Sequence, residues 1–122
     1  MEQVRLNENE WKVMKIIWEK EPIQAKEVAE HMSDNYGILT SSTYAILSHL
    51  LEKGIIERNY PKYTINTLIS RSEMQKREGR YLLDQIFDGS RKVLFSSFIE
   101  DSKLSNEEIA ELKKILKQAE KE

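Results

Sequence analysis

Residues 40–67 read TSSTYAILSHLLEKGIIERNYPKYTINT, and the hydrophobic period changes partway along. As far as Lys53 it is the period of a helix. Ile46, Leu47, Leu50 and Leu51 gather on one face, as apolar residues three and four apart must on a 3.6-residue turn. Tyr44, Ala45, Ser48 and His49 fall outside that stripe. Thr40 or Ser41 is suited to cap the helix start, because a short side-chain oxygen there accepts from an unpaired backbone N–H. Gly54 stands where a left-handed residue commonly follows a helix end. Beyond it, Ile55 to Asn59 and Lys62 to Thr67 are rich in β-branched and aromatic residues and flank Tyr60-Pro61. This predicts a small two-stranded hairpin.

Working outward toward the N-terminus, two more helices are expected. Asn7 with Glu10 forms a variant of the capping box, and Leu6 with Trp11 is placed to staple the same helix start. Trp11, Met14, Ile17 and Trp18 then supply one apolar face, and Pro22 stops the helix. A second helix spans roughly Gln24 to Ser33 on Ala25, Val28, Ala29 and Met32. The following Ser33-Asp34-Asn35-Tyr36-Gly37 has the composition of a turn. Three helices and a hairpin, in that order, are the winged helix-turn-helix arrangement. Its third helix enters the DNA major groove, and its hairpin, the wing, lies along the backbone.

Toward the C-terminus the pattern is helical throughout. Ser70 with Glu73 starts a helix that reaches about Phe87, with Met74, Tyr81, Leu82 and Ile86 apolar, and Asp88-Gly89 ends it. Arg91 to about Glu100 carries Val93, Leu94, Phe95, Phe98 and Ile99. Ser105 with Glu108 caps the last helix, Leu104 with Ile109 staples it, and Ile109, Leu112, Leu116 and Ala119 form a narrow seam. The expected fold class is therefore mainly α. A winged helix-turn-helix domain over residues 1–68 precedes a three-helix domain over residues 69–122. So short a helical segment has too little material to enclose Phe87, Phe95 and Phe98 by itself, which predicts pairing of two chains through Leu82, Ile86, Phe95, Phe98, Ile109, Leu112 and Leu116.

Composition narrows the chemistry. The chain has 122 residues, no cysteine and two histidines. Disulfides, thiolate metal sites and a thiol nucleophile are thereby excluded. A zinc site would have to be built mainly from carboxylates, and no helix shows paired His/Glu ligand spacing. No nucleophile elbow or phosphate-cradling glycine loop occurs, so neither an enzyme nor a cofactor is expected. His31 reads as a surface or packing residue, and Glu107, Glu108 and Glu111 as acids that complement a helix N-terminus. No stretch approaches the ~20 apolar residues of a membrane span, and the N-terminus lacks the apolar core of a secretory signal, so a cytoplasmic protein is expected. The net charge is −2, and residues 1–68 carry 8 Lys/Arg against 10 Asp/Glu. That is sparse for a nucleic-acid binder.

Several blocks of the sequence are more specific than their periodicity. They are Glu10-Trp11-Lys12-Val13-Met14 with Ile17-Trp18, Ala25-Lys26-Glu27-Val28, Leu50-Leu51-Glu52-Lys53-Gly54, Phe98-Ile99-Glu100, and Leu104-Ser105 with Glu108-Ile109 and Leu112. On these residues the chain resembles the BlaI/MecI/CopY family, the penicillinase repressors, over nearly its whole length. The resemblance implies a homodimeric repressor that binds double-stranded DNA at a roughly palindromic operator. Its third-helix pattern, close to K-T-(I/V)-(R/K)-T-L-x-x-R-L, falls on Ser41 to Leu50, where three basic positions have become Ser41, Tyr44 and His49. The DNA-contacting residues are then expected to be Tyr44, Ala45, Ser48 and His49 in the major groove, with Thr40, Ser41 and Ser42 on phosphate at the helix start. Lys26, Arg58 and Lys62 would add backbone contacts.

The resemblance also points to control by a sensor-linked protease that cleaves an Asn-Phe bond. The corresponding bond here is Ser97-Phe98, without the Asn, which favours a packing role for Phe98. The cysteine motif of the copper-responsive branch is absent. A competing expectation is a winged-helix protein–protein adaptor, or a family member that has lost its operator. It accounts for the acidic N-terminal half and the depleted third helix, but not for the retention of turn, wing and pairing helices together.

Overall fold

A computed structural model describes residues 5–101 and 103–121. Among them the order is α1 (Glu8–Lys20), β1 (Ile23–Gln24), α2 (Ala25–Tyr36), α3 (Thr40–Glu52), β2 (Ile56–Asn59), β3 (Thr64–Thr67), α4 (Arg71–Tyr81), a π-helical segment (Leu82–Ile86), α5 (Arg91–Asp101) and α6 (Asn106–Glu120). The fold is mainly α, with a winged helix-turn-helix followed by helices, as the periodicity predicts. Packing divides the chain into two compact units, one ending at Gly79 and the other beginning at Arg80.

Local chemistry sets the elements of the first unit. The capping box of α1 is complete: Asn7 accepts from the Glu10 N–H at 2.8 Å, and Glu10 accepts from the Asn7 N–H at 2.9 Å. Against expectation α2 does not stop at Ser33. It runs one more turn to Tyr36, and Gly37 alone takes the left-handed conformation at φ 65° that closes it. The sheet also has a third strand. Ile23 and Gln24 pair antiparallel with Ile65 and Thr64, in the order β1-β3-β2. The start of α3 differs as well. Its cap position is Leu39, with no side-chain cap bond, so Thr40 lies within the first turn.

One core joins these elements. Met14, Ile17, Met32, Leu50, Ile56, Ile65 and Met74 are fully buried, and Trp11 and Trp18 pack against the cluster with their rings 5.9 Å apart. Removing a buried leucine such as Leu50 typically costs about 2–5 kcal/mol, since a cavity is left as well as the lost transfer energy. Met74 and the bond from Trp18 Nε1 to the Ile69 carbonyl (3.0 Å) hold the first turns of α4 on this unit, as does the ion pair of Arg5 with Glu78. Thr67 donates its N–H and its hydroxyl to the Glu21 carboxylate at 2.9 Å, fixing β3 to the end of α1.

Thr43 is fully buried in α3, and its hydroxyl has no hydrogen-bond partner among the described residues. It occupies a position where an apolar β-branched residue of the same shape would serve. Thr43→Val is therefore expected to stabilise the first unit by about 1 kcal/mol, because an unpaired buried hydroxyl carries a desolvation penalty that a methyl does not. A shift of the denaturation midpoint to higher urea at unchanged slope checks this.

In the second unit Leu94 is the one buried apolar side chain among the described residues. Ile86, Phe95, Phe98, Ile109, Leu112 and Leu116 are exposed, Leu82 is half-buried, and Val93, Ile99 and Ile115 are open too. Phe98, expected in a core, stacks edge-on to Phe87 at 6.4 Å and still leaves half its surface open. The cause is shortage of cover: α5 carries apolar residues on more than one face, and a helix of that kind is normally buried. The capping box of α6 is complete, with Ser105 accepting from the Glu108 N–H at 3.1 Å. Ser90 accepts from the Val93 N–H at the start of α5 (3.2 Å).

Candidate nucleic-acid interface

The inward face of α3 is Thr43, Leu47 and Leu50, all buried, which leaves the opposite face to solvent. Thr40, Ser41, Ser42, Tyr44, Ala45, Ser48 and His49 are all exposed, as the period requires. They form two adjacent stripes. Ser41, Tyr44 and Ser48 stand three and four apart on one, and Ser42, Ala45 and His49 on the other.

Tyr44 and Ser48 of the first stripe face a cleft of about 420 Å³. Tyr44 and Ser48 form its α3 wall, Leu47 and Leu51 its floor, Lys26 the end nearest α2, and Arg58, Lys62 and Tyr63 the wing wall. The backbone bond from the Ala25 N–H to the Tyr63 carbonyl, 3.4 Å, fastens the wing to the start of α2, and both residues line the cleft. Five residues that the sequence placed on DNA, distributed over 37 positions from Lys26 to Lys62, thus line one depression. Thr40, Ser41, Ser42, Ala45 and His49 lie on α3 outside it.

The electrostatics of the cleft oppose those of its unit. Three cations line it and no carboxylate does, although residues 1–68 are net acidic. Lys26 sits in the first turn of α2, where the helix dipole disfavours a cation. Neither α2 nor α3 has a side-chain cap at its start, whereas α1 and α6 have full capping boxes. The first-turn N–H groups of α2 and α3 are therefore left without a side-chain cap, as suits an anion. Three basic side chains in one lining without an acid favour an anion over a cation there.

Two contributors escaped the sequence reading. Tyr60 and Tyr63 pack together beside Arg58 on the wing, each ring centroid 5.5 Å from the guanidinium carbon, and the two rings meet edge-on at 4.9 Å. The spacing Y-P-K-Y was the available signal, since aromatics beside a cation on a hairpin suggest stacking. Leu39, 72 % exposed at the start of α3, is the third surface residue not foreseen.

The penicillinase repressor profile matches residues 6–118. The chain belongs to the penicillinase repressor family. It is 28% identical over 116 residues to a penicillinase repressor of Staphylococcus aureus, covering 93% of this chain and 92% of that one. It is 27% identical over 109 residues to the methicillin resistance regulatory protein MecI of Mammaliicoccus sciuri, covering 88% of this chain and 89% of the relative. A penicillinase repressor of Bacillus licheniformis is 27% identical over 118 residues, with 93% and 91% covered. Membership places the chain among DNA-binding transcriptional repressors and not among enzymes. No helix among the described residues is long and apolar enough to cross a membrane.

Proposed function

We propose that the chain is a homodimeric repressor acting in the cytoplasm on a roughly palindromic promoter operator. Residues 1–68 bind DNA and residues 69–122 pair the two copies. The observation that carries this reading is the cleft in which Lys26, Tyr44, Ser48, Arg58 and Lys62 converge from α2, α3 and the wing. Tyr44 and Ser48, with Ala45 and His49 beside them, read the major groove. Thr40, Ser41 and Ser42 anchor the start of α3 on phosphate, and the cations of the cleft hold the backbone. The exposed apolar residues of α5 and α6 support pairing, since Leu94 alone is buried there among the described residues. Two copies place two α3 helices on half-sites about one DNA turn apart, or a multiple of it.

Selection of bound sequences from a random duplex pool, at stated salt, tests the reading. Recovery of a palindrome is the expected result. No enrichment would favour the protein–protein adaptor, to which the net acidic first 68 residues are better suited. On the recovered site Tyr44→Ala is expected to cost about 1–3 kcal/mol, and much less on random DNA. Equal loss on both would move Tyr44 from base reading to phosphate contact. The Ser97-Phe98 bond lies inside α5, where its backbone is held in helical hydrogen bonds. Cleavage there would require local unwinding, so repression and its release do not depend on that bond in this reading.

A further inference from the structure

The cleft has two walls of different kinds. One is α3; the other is the wing, where Arg58 near the tip of β2 packs against the edge-on pair Tyr60 and Tyr63. An α-helix with its side chains is about 10–12 Å wide and fills a major groove of about 12 Å. A backbone strand must then pass along each side of α3. On the wing side the cleft gives it room, with Lys26, Lys62, Tyr44 and Ser48 to meet phosphates and Leu51 to meet a sugar face. Whatever stands beyond that strand stands in the minor groove.

We propose that one sugar–phosphate strand of the operator runs through this cleft, and that Arg58, packed on the Tyr60–Tyr63 pair, thereby enters the minor groove and selects A·T pairs. This rests on the repressor reading and deepens it, moving Arg58 from the backbone to the base edges and leaving Lys26 and Lys62 on the backbone. Arg58 is exposed and forms no ion pair with a carboxylate among the described residues. Its guanidinium is instead held by the two rings, which restrict its freedom without neutralising it. Tyr63 is at φ 53°, a left-handed conformation uncommon for a non-glycine residue, and in it the ring lies against Arg58. A planar, weakly hydrated cation fixed at a hairpin tip fits the narrow, strongly negative minor groove of A·T-rich DNA.

The test uses duplexes carrying the selected palindrome, with the pairs flanking each half-site set to A·T, G·C or I·C. An I·C pair presents the minor-groove face of A·T, because inosine lacks the N2 amino group, and the major-groove acceptors of G·C. For the full-length protein, G·C flanks are expected to weaken binding about tenfold and I·C flanks to restore it. Arg58→Ala should lose about tenfold on A·T flanks and bind all three duplexes alike. Arg58→Lys should keep part of the affinity and lose the preference. Indifference of the full-length protein to the flanks, or equal loss by Arg58→Ala on every duplex, would overturn the assignment while leaving the repressor reading intact. Failure to bind any duplex would instead overturn the repressor reading, and the assignment with it.

Discussion

Replacing Leu112 and Leu116 together with glutamate is expected to separate the two copies and to lower operator affinity by about 10²–10⁴-fold in one step. Leu112 and Leu116 stand on the outer stripe of α6 with Ile109 and Ile115, and Leu116 is 65 % exposed in the single chain. Glutamate is nearly as good a helix former as leucine, so the substitution leaves α6 its backbone preference and replaces apolar surface with charge. Two half-site modules joined in one dimer gain the effective concentration of the second site, and that gain is lost when they part. With Leu94 the one buried apolar side chain in this unit among the described residues, loss of pairing should also reduce its helical signal. Sedimentation and operator binding read the two effects. A variant that stays dimeric, or a monomer that binds as tightly as the parent, would refute the pairing surface.

The elements that local chemistry determines were legible in the sequence. The Asn7–Glu10 and Ser105–Glu108 boxes form as their spacing requires. So does the burial of Leu47 and Leu50, because a 3.6-residue period admits only one inward face. The departures lie where no period exists to be read. A two-residue strand such as β1 has no alternation, and it forms only because β3 offers a free edge beside Ile23. The last turn of α2 is built from Ser33, Asp34 and Asn35, which favour turns when isolated, yet Met32 is anchored in the core and Gly37 provides the real stop. The π-helical segment after α4 has no counterpart in periodicity either.

The candidate site divides along the same line. The exposed face of α3 follows from its buried one, so Tyr44, Ala45, Ser48 and His49 were accessible to sequence reasoning. What was not accessible is that only Tyr44 and Ser48 share a cleft with Lys26, Arg58 and Lys62. That depends on how the wing stands against α3, and the wing is held at the start of α2 by the β1–β3 pairing and the Ala25–Tyr63 backbone bond. The packing of Arg58 against the tyrosine pair involves a left-handed Tyr63, a conformation that propensity does not foresee. The family pattern supplies the lost cations of α3 by position alone. The structure shows cations from other elements gathered instead, which is how a net acidic unit presents a basic cleft.

Lys53→Met is expected to destabilise the first unit by about 2–3 kcal/mol, more than any surface lysine should. Glu10 is 1 % exposed, and Lys53 Nζ donates to both of its carboxylate oxygens, at 2.7 and 2.8 Å, and to the Arg5 carbonyl at 3.1 Å. The pair ties the first turn of α1 to the residue that ends α3, and so fixes one end of that helix. Removing one partner of a buried pair strands the other charge, at a cost of about 3–5 kcal/mol when both are enclosed. Lys53 is about one-third exposed, so water repays part of that. The double variant Glu10→Gln with Lys53→Met leaves no buried charge, and the new amide oxygen still accepts from the Asn7 N–H. It is expected to be more stable than Lys53→Met alone, an inversion that loss of contacts by itself would not produce. Urea midpoints of the parent, the two single variants and the double variant decide it: if the double variant is the least stable of the four, Glu10 is not a stranded charge and the pair is an ordinary contact.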